Sequence, residues 1–438
     1  MAKNKKVPLT VVVAKNWKEY ALYTVEERAI PSMVDGLKPS QRFILYSALK
    51  NAKDRFAKVA EIAGNVSAYG YHHGETSAQG AATAMGSDWQ NNNPLLEGDG
   101  NFGTRLVQKP AAARYIFAKI HKNFYNFFMD TDLCPEHIDE DIKTPKWYLP
   151  IIPYVLLNGI SGVATGFATD ILPYDVKEVT KLTAMYLSGK SIDGKTLLPK
   201  FPQFTGTVER TGPKSYDVVG TFELKGKTKL LITEVPYGYD RETYVEILDT
   251  LEENGVLVNY EDQCDMNGFQ FLVTLRRDFD GDIEKTFKLR KSFTENLSVI
   301  DPEGKFKIYD TPIDLIKDFC DFRLKYVQKR IEKELDILTT DMALLKAKIK
   351  FIESVIANKI TFKEKSKKQL NDELIALKFK PEHIDSLLNM NFYHLTTEEI
   401  DKLGNKYLEL YESCVYFKGT TAETEYRLDL EKLLKVLK

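Results

Sequence analysis

Residues 109–120, "KPAAARYIFAKI", set an arginine directly before a tyrosine and behind three alanines. A free phenol titrates near pH 10 and is a poor nucleophile at neutral pH. An adjacent cation favours the phenolate, and further cations stabilise the added charge of a phosphoryl transition state. Arg114 adjoins Tyr115, and Arg28, Lys38, Arg42 and the pair His72 and His73 stand in the same third of the chain. Converged around Tyr115, such a set would suit attack on a phosphodiester. Taken alone, an Arg-Tyr pair reads first as a tyrosine packed in a strand, so both readings stand on these residues.

The charge distribution favours a polyanionic partner for this region. The 438-residue chain has a net charge of −2, but residues 1–130 carry 17 Lys and Arg against 11 Asp and Glu. The remainder carries 44 against 52, so the basic excess lies at the N-terminal end. At 43% hydrophobic and 28% charged, the composition is that of a core-forming chain. The apolar stretch "YLPIIPYVLLNGI" is too broken by Pro and Gly to span a bilayer, and no secretory leader is recognised. A cytoplasmic location without membrane attachment is therefore expected. The four cysteines lie far apart with no CxxC pair, which fits free thiols and argues against a zinc site.

Several other motifs invite chemistry. "GKSIDGKT", residues 189–196, matches a phosphate-binding loop as a string, but a helical pattern precedes it and "LLPKFP" follows, so the strand-loop-helix context is missing. "GDGNFG", residues 98–103, spells a dinucleotide fingerprint without its βαβ unit and reads as a tight turn. "DFDGD", residues 278–282, reads as a solvated acidic turn, because its glycine and Leu289 stand wrongly for a calcium loop. "YHHGE", residues 71–75, holds either structural histidines or imidazoles turned to a phosphate. "NGISGVATG", residues 158–166, is a small-residue loop holding Val163: a buried turn, or an apolar wedge for a base-pair step.

The elements that must position these residues follow from pattern. Residues 18–50 read as helices interrupted at "AIPSMVDGLKPSQ", the second capped by Ser40. Two helical patches flank the His-His turn, and a glycine- and asparagine-rich wing leads to a strand carrying Arg114 and Tyr115. Helices plus a wing suggest a winged helix-turn-helix, a DNA-binding module. Residues 200–277 show strand signals with the helical patch "RETYVEILDTLEEN" interleaved. Further on, Leu335, Leu338, Met342, Leu345, Ile349, Ile352 and Ile356 recur at intervals of three and four, a coiled-coil seam. Tyr426, Leu430, Leu433 and Leu437 repeat the pattern, while Ser366 with Gln369 and Thr396 with Glu399 mark helix starts between them. The economical arrangement is a long helix out, a small helical knob and an antiparallel return. A helix packed on its own domain is the alternative.

Together, "ERAIP", "DGLKPSQRFILYSAL", "YHHGETSA", "GDGNFG", "AAARY" and "NGISGVATGFATDILP" occur in the order seen in type IIA DNA topoisomerases. The chain resembles the A chain of gyrase and, in length and ending, is most similar to phage members of the family. "LLITEVPYGYDRETYVEIL" and "LLNMNFYHLTTEEIDKL" extend the likeness nearly to the end. The resemblance implies a multidomain α+β fold: an N-terminal arm and winged-helix breakage-reunion (DNA-gate) domain over 1–150, an α/β tower domain over 151–310, and a long antiparallel coiled coil with a small helical dimerisation domain, the exit gate, over 311–438.

What the resemblance implies for the residues is specific. Tyr115 would join covalently to a DNA 5′ phosphate and leave a 3′ hydroxyl, and Arg114 would hold the scissile phosphate. Arg28 and Lys38 would bind near it; His72 and His73 match the family's histidine pair in its eukaryotic form. Arg42 would contact the DNA backbone, beside Phe43 where many relatives have a second arginine. Val163 stands at the intercalating wedge, one methylene shorter than the common isoleucine. No ATPase module and no glutamate-plus-DxD metal domain is recognisable, and "LLEGDG" aligns with the wing. Mg2+ and ATP are therefore expected from partner subunits, with double-stranded DNA and a second copy of this chain as the other partners. In a phage member the site of action is the host cytoplasm. No counterpart of gyrase's DNA-wrapping propeller is found, so ATP-driven relaxation and decatenation without strong supercoiling are expected. The rival expectation is a non-enzymatic architectural DNA-binding protein with Tyr115 merely packed.

Overall fold

A computed structural model describes residues 9–362 and 365–437, which form two units. The first comprises the chain up to Arg323 together with residues from Asp429 onward, and the second is Leu324–Leu428.

The first unit opens with helix α1 (Leu9–Thr24), which widens into a π-helical turn at Val25–Ala29 and then becomes extended at Ile30. The chain re-enters helix at α2 (Pro39–Asn51), with Pro39 at the first helical position, where its missing N–H costs nothing. The Lys38 N–H is taken by the Gln41 side chain at 2.9 Å, so Lys38 is the capping position and Ser40 lies inside the first turn, not at the cap the sequence suggested. There follow β1 (Ala57–Lys58), α3 (Val59–Gly64), α4 (Glu75–Met85), β2 (Leu96–Asp99), β3 (Phe117–Ile120) and α5 (Lys122–Phe127). The strands form an antiparallel sheet ordered β1-β3-β2. Ile44, Leu45 and Ala48 of α2, Val59 and Ile62 of α3, Ala78 and Ala82 of α4 and Leu96 and Ala118 of the sheet are buried. The alanine-rich inner face of α4 lets it pack closely on α2 and α3.

Gly98 and Asp99 end β2, and the chain bends at Gly100, where the sequence suggests a tight turn. A side chain at Gly98 would meet the Phe102 ring at 2.6 Å, and Gly100 has φ +109°. Residues 189–196 likewise lack a strand before and a helix after.

Beyond α5 come the hairpin β4 (Ile160–Ala164) and β5 (Phe167–Ile171), then α6 (Val176–Leu187), capped by the Asp175 carboxylate. Strands β6 (Thr207–Arg210), β7 (Ser215–Val219), β8 (Thr221–Lys225) and β9 (Lys229–Glu234) lead to α7 (Arg241–Glu253). The chain continues through β10 (Leu257–Asp262), β11 (Phe271–Leu275), α8 (Ile283–Thr286), β12 (Arg290–Thr294), β13 (Leu297–Ile300) and β14 (Phe306–Tyr309). Sheet β10-β11-β9-β8 buries Leu230, Ile232, Phe271 and Val273 with Tyr244 and Leu248 of α7, the alternation expected of a sheet covered on one face. A second sheet is ordered β12-β7-β6, and β13 pairs with β14. The acidic turn at 278–282 is used locally: Asp278 pairs with Arg276 and Asp282 caps α8.

Helix α9 (Pro312–Ile356) starts where the Thr311 hydroxyl accepts the Asp314 N–H at 3.2 Å. In the second unit, Leu338, Leu345 and Ile352 are buried, and Leu335, Met342 and Ile349 are half-buried. Helices α10 (Lys367–Ala376) and α11 (Pro381–Leu388) enclose a core of Phe351, Ile360, Leu374, Phe379, Ile384 and Leu387. Helix α12 (Thr397–Gly419) begins at the Thr396 cap, and α13 (Ala422–Val436) follows. The Ser366–Gln369 capping box is formed, and Lys346 of α9 sits 5.0 Å from the Tyr407 ring of α12.

Candidate active site

Tyr115 lies in a turn ahead of β3, not in the strand itself. The turn is pinned to the start of α3. The first N–H groups of a helix have no intrahelical acceptor; here Val59 N–H donates to the Ile116 carbonyl at 3.0 Å and Ala60 N–H to the Ala113 carbonyl at 3.1 Å. The Ala111 N–H reaches the Asn101 carbonyl at 2.9 Å, and Tyr115 N–H closes on the Ala112 carbonyl at 2.8 Å. Ile116 is buried, 1% exposed, and anchors the segment. Its neighbour Tyr115 is consequently turned outward, 65% exposed, so the packed-tyrosine reading fails. The Arg114 guanidinium lies 4.7 Å from the Tyr115 ring centroid, a cation–π distance.

A second group forms where the β4–β5 hairpin meets the end of the π-helical turn. Arg28 is exposed and has no ion pair among the described residues. Lys38 is half-buried, and its ammonium donates to the Ser161 carbonyl at 2.6 Å. Burial holds that ammonium below the usual lysine range. Val163, two residues along the hairpin, lies in strand β4 and not in a loop, and at 85% exposure its apolar side chain faces outward.

The histidines form a third group. The Tyr23 hydroxyl at the end of α1 bonds His73 Nε2 at 3.2 Å, and the Tyr71 ring meets His73 edge-on at 5.3 Å. His72 is exposed. Thus Lys38 meets the hairpin that carries Val163, Arg28 stands on the turn against which that hairpin packs, and Arg114 is paired with Tyr115. Among the described residues no hydrogen bond or ring contact joins Tyr115 to Arg28, Lys38 or the histidines within one chain.

Arg42 departs from its expected role. Its Nε donates to Asp35 Oδ2 at 2.7 Å and its Nη2 to Asp35 Oδ1 at 3.1 Å and to the Leu37 carbonyl at 3.3 Å. The residue is 9% exposed and Asp35 fully buried, so this cation is consumed by the fold and is not presented to a phosphate. Asp35 also accepts the Leu37 and Tyr148 N–H groups, which fixes the loop before Lys38. Asp35 and Tyr23 were not singled out from sequence, since neither contact has a local spacing signature. Arg105 was missed as well: buried among the Phe204, Tyr237 and Phe269 rings, it pairs with Glu234 at 3.1 Å and ties the residue 100–108 loop to β9.

Among the described residues no group of three His, Cys, Asp or Glu side chains converges on a metal position. No described helix is long and apolar enough to cross a membrane.

Among known proteins, the family model for the A chain of DNA gyrase/topoisomerase IV matches residues 28–433. The DNA topoisomerase medium subunit of Enterobacteria phage T4 is 45% identical over 427 residues, covering 94% of this chain and 96% of that protein. DNA topoisomerase 2 of Arabidopsis thaliana is 34% identical over 83% of this chain, which spans only 26% of that longer protein. The solved structure of the DNA-binding, cleavage and re-ligation domain of Plasmodium falciparum topoisomerase II superposes with a TM-score of 0.86 at 28% identity, over 97% of this chain and 64% of that one. A chain matched along nearly its whole length by that family model, and sharing both extent and sequence with the phage protein, belongs to the type IIA DNA topoisomerase family, in the class of the gyrase and topoisomerase IV A chains.

Proposed function

We propose that this chain is the DNA-cleaving and religating subunit of an ATP-dependent type IIA topoisomerase, acting by a transient double-strand break. The observation that carries the residue-level reading is the Tyr115 hydroxyl, presented outward beside Arg114 from a turn pinned at both ends. In this reading the Tyr115 oxygen attacks a backbone phosphorus. A bond forms from phosphorus to the phenolic oxygen, and the bond to the 3′ oxygen breaks. The phenolic proton is lost, and the 3′ oxygen leaves as a hydroxyl. One phosphodiester replaces another, so religation by the reverse step needs no energy input. Arg114, Arg28 and Lys38 hold and neutralise the phosphate. His72 and His73 flank it, and Val163 enters a base step and bends the duplex.

The parts divide accordingly. α2–α4 with β1–β3 act as the winged helix of residues 1–150, and the sheets within 151–310 as the tower. The helices of 311–438 act as coiled coil and exit gate. Two copies each contribute one Tyr115, so cutting both strands requires the dimer. Mg2+ and ATP come from a partner subunit, and the complex works in the cytoplasm of the host cell.

The test is a detergent quench of the chain with its ATPase-bearing partner subunit, Mg2+ and plasmid DNA. Protein-linked linear DNA, absent with Tyr115→Phe, is the expected result. Unmodified DNA under all conditions, with salt-sensitive binding retained, would make the chain an architectural DNA-binding protein instead.

A further inference from the structure

The hairpin that carries Val163 is seated on the same short segment that carries Arg28. A Cβ added at Gly162 would lie 3.0 Å from the Ala29 carbonyl carbon, closer still to its oxygen, and 3.2 Å from Lys38 Nζ. These first two obstacles are backbone atoms, which cannot swing aside as a side chain end can. One residue earlier, the Ser161 carbonyl holds the Lys38 ammonium at 2.6 Å. One residue later, Val163 projects into solvent at 85% exposure. A hydrogen bond from a charged donor is stronger than one between neutral partners, and it helps set the pose of this short two-stranded hairpin.

We propose that Gly162 is a positioning residue: its missing side chain lets the wedge hairpin lie against Ala29 and Lys38, so that bending the DNA and capturing its phosphate become one mechanical event. The inference rests on the proposed cleavage reaction. A side chain at position 162 lifts the hairpin from Ala29, moving Val163 relative to Lys38 and Arg28. The wedge then no longer enters a base step while the cations hold the backbone. Bending a duplex site costs free energy, and that cost falls on the cleavage step when the wedge is misplaced.

The experiment uses the full chain in complex with its partner subunit, comparing wild type with Gly162→Ala, Val163→Ala and Lys38→Met. Two duplexes serve as probes: one intact, and one nicked at the step the wedge would enter, which removes most of the bending cost. Val163→Ala guards against misfolding, because an 85% exposed side chain bears no packing load. Covalent DNA adduct is scored for all. The expected pattern is a loss of about tenfold or more on intact DNA for Gly162→Ala and Val163→Ala, restored to within about threefold on nicked DNA, while Lys38→Met is impaired on both. Adduct formation by Gly162→Ala equal to wild type on intact DNA overturns the inference. So does a Gly162→Ala defect that nicking does not relieve while it relieves Val163→Ala. Absence of adduct with wild type itself would instead overturn the cleavage reading.

Discussion

Glu295 offers a sharp electrostatic test of the packing behind the wedge hairpin. It lies between β12 and β13 and is 3% exposed. Its carboxylate accepts the Leu172 N–H at 3.2 Å and the Tyr174 hydroxyl at 2.8 Å, just after β5. Burial is the largest influence and pushes its pKa from 4.5 up to about 7; Asp170 adds to the rise, while the two hydrogen bonds and Lys214 oppose it. The folded state therefore holds this proton more tightly than the unfolded chain does. The sign follows: the contribution to stability is fully present below pH 4.5 and is lost as pH rises through about 7. At about 1.4 kcal/mol per pKa unit, the loss is at most roughly 3 kcal/mol.

Glu295→Gln keeps the shape of the protonated carboxyl without its titration. Denaturant unfolding should be measured for both proteins from about pH 4.5 to 8, and the stability of the variant minus that of wild type plotted. Taking the difference cancels every other titrating group. It should start near its minimum and climb by up to roughly 3 kcal/mol, most of the climb completed by about pH 7.5. A flat difference, or one that falls as pH rises, would refute the claim that burial outweighs the hydrogen bonds at this carboxylate.

Arg42→Met should destabilise the chain by about 3–5 kcal/mol, because it strands the fully buried Asp35. Denaturant melts check the loss, and the salt dependence of DNA binding by the folded fraction should not change. Arg28→Ala should behave oppositely, with stability within about 0.5 kcal/mol of wild type and the slope of log affinity against log salt shallower by roughly 0.9 for each phosphate no longer neutralised. Tyr23→Phe removes the hydroxyl from His73 Nε2; adduct formation should slow up to about tenfold with DNA affinity unchanged, measured by quench time courses beside equilibrium binding.

Much of this architecture was legible because its signals are local. The capping residues Ser366 and Thr396, the Pro312 helix start and the three-four spacing of α9 each follow from neighbours along the chain. The rejected phosphate loop at 189–196 was readable for the same reason, since its mechanism demands flanking elements that the pattern lacks. The errors have a different origin. Arg42 looked like a free cation because its partner Asp35 lies seven residues back, across a Gly and Pro break that carries no periodic signal. Tyr115 reads as part of the strand that follows the wing, yet the α3 N–H groups claim the Ala113 and Ile116 carbonyls and hold the tyrosine in a turn. The Lys38 contact with Ser161 spans 123 residues, and no window of sequence could display it.

The central claim is that the Tyr115 phenol becomes the covalent link to DNA. The most direct measurement uses DNA labelled separately at each end, trapped with detergent in the complete complex and then digested with protease. The account predicts a Tyr115 peptide on the 5′ phosphate, a 3′ hydroxyl that a polymerase can extend, and no adduct from Tyr115→Phe. A peptide on the 3′ phosphate, or an adduct that survives Tyr115→Phe, would contradict it.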